Sequence, residues 1–151
     1  MPPASFRVHV VIDALPAEVF EYVSDLTRHG EWAADPVEIT ALGSGPTGVG
    51  SRYRSTAQSH GVTFNTDLEV TEYVPPSSFT FQGADATGRF WHRFTFEPHG
   101  QGTRVTRHIH FTATLSQWLV FWLALYPVRI PSAKWTLELL KARMEQSRQG
   151  N

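Results

Sequence analysis

The chain contains no cysteine. This excludes disulfides, zinc–thiolate centres and a cysteine nucleophile, and it agrees with a reducing, cytoplasmic setting. Charge is also scarce: 18% of the 151 residues are charged, and the net charge is −1. There is no overall positive field to attract nucleic acid, so none is expected as a partner. Long apolar runs are missing. The most apolar stretch, Trp118–Tyr126, has nine residues, whereas a membrane span needs roughly 20. The start, MPPASFRVHVV, lacks the charged-then-apolar pattern of a signal peptide. Gly-Xaa-Ser-Xaa-Gly, P-loop and dinucleotide fingerprints are absent, and no cofactor is expected. Repeats and low-complexity tracts are absent too.

Aromatic residues, by contrast, are plentiful: ten Phe, five Trp and four Tyr. With 41% hydrophobic residues, the chain reads as one globular domain over residues 1–151, large enough for a core without covalent staples. Charge is split along the chain. Up to Pro75 there are four Arg against ten Asp/Glu; from Pro76 there are nine Lys/Arg against four Asp/Glu. A solvated surface accounts for this split.

Hydrophobic periodicity outlines the elements. Phe6, Val8, Val10 and Ile12 alternate with Arg7, His9, Val11 and Asp13, which predicts a strand. Pro16 opens a helix to Ser24, since its missing N–H costs nothing in a first turn, and Glu18 suits the positive end. A second short helix is expected over Thr27–Ala33. Strands follow over Val37–Leu42, Val49–Gln58, Val62–Tyr73, Ser78–Gln82, Arg89–Glu97 and Thr103–Thr112, punctuated by Gly- and Pro-rich turns. The C-terminal third is helical. Leu115–Tyr126 is apolar on nearly every side, Pro127 and Pro131 predict a kink or a break, and Ser132 is placed to cap a final helix to about Gln146. On that helix Lys134, Glu138, Lys141 and Glu145 form a polar stripe opposite a wide apolar arc containing Trp135, Leu137 and Leu140.

The expected fold class is therefore α+β: a seven-stranded curved antiparallel sheet gripping a long C-terminal helix, with two short helices after the first strand. One helix is only about 10–12 Å across. It cannot fill the concave face of such a sheet, so the remainder holds large side chains or a cavity.

Four fragments in this order, VVIDALPAEVFEYVSDLTRHGEW, GVGSRY, LEVTEYVPPSSFTF and RFTFEPHGQGTRVT, resemble the polyketide cyclase/dehydrase and START-like superfamily. The resemblance covers roughly Phe6–Met144. It implies the helix-grip fold and a deep, mostly apolar pocket for lipids, sterols, polyketides or similar molecules. It carries over no catalytic motif. The path of the chain between Leu115 and Ser132 departs from the common pattern.

Alternation decides which side chains would line that pocket. Phe94 and Phe96 face the core, which puts Phe90 and His92 there. Val105, Ile109 and Phe111 do the same, which puts Arg107 inside. Tyr53 faces in with Ser55. The candidate lining is Trp32, Tyr53, Ser55, Phe64, Phe81, Phe90, His92, Arg107, Trp122 and Trp135: apolar walls with a few polar groups. A buried Arg107 requires a carboxylate or an acidic group on a ligand, unless it reaches out past a rim. Trp32 would close the mouth or act as a structural staple. The leading expectation is binding or transport of a small hydrophobic ligand. The alternative is a cyclase or dehydratase in which His92 moves a proton and Arg107 stabilises negative charge. A further alternative is a protein-interaction or chaperone-cofactor module. Trp118–Tyr126 could serve as a homodimer patch. His9, His108 and His110 fall on the outer face, where they would hold a transition metal or, the simpler expectation, form a solvated patch.

Overall fold

The computed structural model describes residues 3–59, 61–85, 88–112, 114–120, 122–123 and 126–150. Seven strands form one sheet: β1 (Pro3–Ile12), β2 (Val37–Ala41), β3 (Arg52–Ser59), β4 (Val62–Val74), β5 (Ser78–Asp85), β6 (Gly88–His99) and β7 (Gly102–Thr112). Their order is β1-β7-β6-β5-β4-β3-β2, and every pairing is antiparallel. Helix α1 (Pro16–Ser24) and a 3-10 helix (Leu26–Glu31) bridge the two edge strands. A short helix α2 (Leu115–Val120) and a long helix α3 (Tyr126–Gln149) complete the chain. This is the expected helix-grip architecture.

The strands run longer than periodicity suggested at β5, β6 and their hairpin. β3 starts at Arg52 rather than Val49, because Gly50 turns the chain with φ of 90° and pairs its N–H to Val70 O at 2.8 Å. A register shift between Val70 and Glu72 marks a bulge in β4. One extra residue there moves Tyr73 to the inner face and Glu72 to the outer one, where it binds Arg93 at 3.0 Å.

The final helix begins earlier than expected. α3 starts at Tyr126 and runs on through Pro131, so Ser132 lies within the helix and caps nothing. Pro127 sits in the first turn, where a missing N–H is harmless. Only Pro131 forfeits a ladder bond. Helix α3 buries Ala133, Thr136, Leu137 and Leu140 against the sheet. Its polar stripe does more than meet solvent. Lys141 donates to Val11 O (2.7 Å), Glu145 accepts from Asp13 N (3.1 Å), and Arg148 donates to Asp13 O (2.7 Å). These contacts satisfy backbone groups at the end of an edge strand. Among the described residues, no helix is long and apolar enough to cross a membrane.

The two faces of α3 give a direct check on its rotation. Leu137→Ala should cost about 2–5 kcal/mol in a urea titration. Trp135, 59% exposed, should lose no more than about 0.5 kcal/mol on change to Ala. Equal losses would contradict this packing.

Candidate functional site

Antiparallel register lays the concave face out in cross-strand rows. One row reads Tyr73, Phe79, Phe94, Arg107, Val8 and the next reads Val70, Phe81, His92, Ile109, Phe6. A third runs Tyr53, Leu68, Gly83, Phe90, Phe111, Ala4. Packing changes along these rows. Phe79, Phe94, Phe96 and Val105 are buried, with α1 packed on β5, β6 and β7. Beyond Arg107 the cover thins on β6 and β7: His92, Phe90, Ile109 and Phe111 are only half-buried, while Val70, Phe81, Leu68 and Tyr53 of the same rows stay buried; at the far end of β4, Phe64 is 38% exposed. Gly83 has no side chain where the Phe90 ring lies; a Cβ there would stand 2.5 Å from Phe90 Cζ.

Arg107 stands at the boundary between the filled and the open half. It is 7% exposed, and its Cζ lies 5.4 Å from the Phe94 ring centroid. Its Nη2 is 2.8 Å from His92 Nδ1. A guanidinium has no lone pair to offer, so Arg107 donates and His92 Nδ1 accepts. A neutral His92 is therefore the Nε2–H tautomer. The His92 ring also lies 5.0 Å from Phe81 and 5.3 Å from Phe90. Arg107 Nε is buried without a partner. Burial lowers the Arg107 pKa to about 10, which still leaves it charged at neutral pH. The four ion pairs of the described residues, Arg28–Glu31, Arg54–Asp67, Arg93–Glu72 and Lys141–Glu145, all lie elsewhere. A cation–π contact is worth about 2 kcal/mol when desolvated. Desolvating a charge costs several.

A residue that periodicity did not single out belongs to this cluster. His29, on the 3-10 helix, has a buried Nδ1 without a partner, and its ring lies 4.2 Å from that of Trp32. Trp32 itself is 1% exposed, 6.2 Å from Phe94, and its Nε1 is likewise unpartnered. Trp32 is thus buried against the Phe94 ring, whose row also holds Arg107. Burial, with a smaller push from the Arg107 charge, drops the His29 pKa to about 3, so this ring is neutral.

The other candidate residues are spread around this centre. Phe81 and Phe90 flank His92. Tyr53 and Ser55 are buried on β3, with the Tyr53 hydroxyl 2.8 Å from Thr47 Oγ1. Trp122 is 37% exposed and packs edge-to-face on Trp118 at 6.0 Å. Trp135 points away from the sheet. On the outer face His108 and His110 lie 5.8 Å apart, but Arg7 pairs across from His108 while His9 is opposite Thr106. Burial and the Arg7 charge lower the His108 pKa. Among the described residues no group of three or more His, Asp or Glu is disposed to hold a metal ion. Two hollows, about 310 Å³ beside Asp13 and Glu145 and about 630 Å³ beside Arg54 and Asp67, are on outer surfaces.

The buried His29 sets a pH dependence. Unfolded, the ring takes a proton near 6.5; folded, only near 3. Within that window the unfolded chain binds the extra proton. Its contribution to stability is complete above pH 6.5 and drains away towards pH 3, by up to about 1.4 kcal/mol per unit. Urea midpoints at pH 7 and pH 4.5 should therefore fall further for the unaltered protein than for His29→Leu. Parallel slopes would show that His29 titrates freely.

Solved structures with this arrangement are numerous. A protein of Thermus thermophilus superposes with a TM-score of 0.78 at 21% identity, over 95% of this chain and 99% of that one. A Staphylococcus aureus protein of unknown function gives 0.76 at 13% identity, over 98% and 97%. The di-domain ARO/CYC StfQ from the steffimycin biosynthetic pathway gives 0.77 at 13% identity, over 99% of this chain and 53% of StfQ. At such identities these likenesses speak for the fold. No curated protein matches in sequence. The family described as polyketide cyclase/dehydrase and lipid transport matches residues 3–145, and with nearly the whole chain matched, this protein belongs to that family.

Proposed function

We propose that the protein binds a small hydrophobic molecule on the open half of the concave face, with the polar end of the ligand at His92 and Arg107. The observation that carries this reading is the gradient of cover along the rows. Phe94 and Phe96 are sealed, whereas Phe64, Phe90, Ile109 and Phe111 present apolar surface that no described residue covers fully. Apolar surface gathered on an inward-curving wall, with a few polar groups at its floor, is the usual form of a small-molecule site. Membership of a family that includes lipid transport supports the same reading.

Filling the open half should abolish binding. Ile109→Trp adds an indole to the centre of the row while leaving the sealed half untouched. Titration of solvent-extracted protein with a fluorescent apolar probe such as Nile red should show saturable binding, weakened at least tenfold by this change. Saturable binding of equal strength in the variant would move the site off this face.

A catalytic reading has one specific observation in its favour. The 2.8 Å contact with Arg107 fixes His92 in a single tautomer beside a cation, inside an apolar wall. A carbonyl ligand placed there would meet the His92 Nε2–H as a hydrogen-bond donor and the Arg107 charge, both able to stabilise negative charge on its oxygen. With a synthetic aromatic-forming 1,3,5-triketone as substrate, His92→Gln should lower kcat about 100-fold or more with little change in binding. Cyclisation at the same rate in both proteins, or at the uncatalysed rate in the unaltered one, would leave carriage without chemistry.

A further inference from the structure

We propose that the molecule bound here is a monoanion: an otherwise apolar compound whose single carboxylate or enolate pairs with the Arg107 guanidinium, with the Trp32 indole N–H as a second donor. This deepens the hydrophobic-ligand reading and rests on it.

Arg107 carries five N–H donors and no acceptor. Its Nη2 is spent on His92, a neutral acceptor that brings no countercharge. Its Nε has no partner although buried. Every carboxylate found in an ion pair among the described residues is engaged with another cation, so none of these supplies an anion here. Buried guanidinium groups are normally paired, because the cost of stripping their water is recovered only through a close opposite charge.

The surroundings repeat the same request. Arg107 and Trp32 approach the same Phe94 ring, at 5.4 and 6.2 Å, and the Trp32 N–H is a donor left without an acceptor. His29 behind it is neutral and adds no charge of either sign. One cation, one further orphan donor and no ion-paired carboxylate nearby make a set complementary to an anion. An alcohol, ester or ketone could accept these hydrogen bonds but would leave the charge uncompensated. A dianion such as a phosphate monoester would be compensated only in part. The half-buried walls, Phe90, Ile109 and Phe111, argue against a small hydrated ion as the natural occupant, since it would leave their apolar surface partly exposed. Low polarity around the pair strengthens it and makes its charge selective.

Matched probes separate this proposal from the reading beneath it. Anthracene-2-carboxylate and its methyl ester share one apolar body and differ in charge. Fluorescence titration should give the acid at least a tenfold lower Kd than the ester on the unaltered protein. Arg107→Met should bring the two within twofold of each other while the ester still binds. Equal binding of both probes to the unaltered protein, or an acid preference that survives Arg107→Met, would overturn the anion site and leave the hydrophobic pocket standing. Failure of both probes to bind would remove the two together. A readout on the unaltered protein covers the case in which Arg107→Met does not fold. With a ¹³C-labelled carboxyl, the bound acid should titrate below its value in water; a bound pKa above that value would refute the pairing. Trp32→Phe keeps the ring and removes its N–H, and should weaken the acid several-fold without affecting the ester. No change there would overturn the part assigned to Trp32 and confine recognition to Arg107.

Discussion

A buried positive charge that no ion pair of the described residues compensates, set in an aromatic wall, organises this molecule. Arg107 sits between the buried Phe94 and Phe96 and the half-buried His92, Phe90 and Ile109. A domain of this size is stable by only about 5–15 kcal/mol. Holding a desolvated guanidinium with a neutral imidazole and a ring face as its described neighbours takes up a sizeable part of that margin. The remaining core must therefore be well packed, and it is. Phe20, Tyr73, Phe79, Phe94 and Phe96 form a continuous set of edge and stacked contacts between 5.2 and 6.5 Å. Strong packing at one end of the sheet supports incomplete cover at the other.

Architecture explains why the charge can persist. Arg107 lies on β7, between β1 and β6, so its backbone is pinned on both sides by ladder hydrogen bonds. Its side chain is 7% exposed and its Cζ lies over the Phe94 ring, so it does not extend past a rim into solvent. The rim escape that long cations use elsewhere is closed to it. A lysine at the same place would present a single ammonium and lose the planar fork that reaches His92 while leaving Nε directed elsewhere.

Much of this was legible in the residues themselves. Period-two alternation put His92 and Arg107 on the aromatic face, and the structure places them 2.8 Å apart. Alternation is a strictly local rule, and it held wherever the ladder was regular. It failed at the bulge after Val70, because one extra residue reverses every later side chain and Thr71 carries no mark of it. That reversal turned Glu72 outward to Arg93, removing a carboxylate that unbroken alternation would have set on the inner face. The helical end was harder. Proline reads as a breaker, yet Pro127 falls in a first turn and Pro131 is accommodated within α3. A wide apolar arc did not reveal which edge meets the sheet. Leu137 and Leu140 do; Trp135 does not. His29 was invisible for a different reason: a 3-10 turn has no amphipathic period long enough to assign a face.

The bulge also bears on what the site can recognise. Without it, Glu72 would take the place of Tyr73 in the row of Arg107, on the same concave face and three strands away. With it, Glu72 is spent on Arg93 and Thr80 at the outer surface, and those pairings hold its carboxyl below the usual range. One inserted backbone residue thus separates the inner cation from the nearest acidic side chain of β4. In the proposed site the charge of Arg107 would then meet the polar end of a ligand, with the apolar end towards the half-buried Phe90 and Phe111. There β7 would supply both the charge, through Arg107, and part of the apolar wall, through Ile109 and Phe111, with Phe90 of β6 beside them.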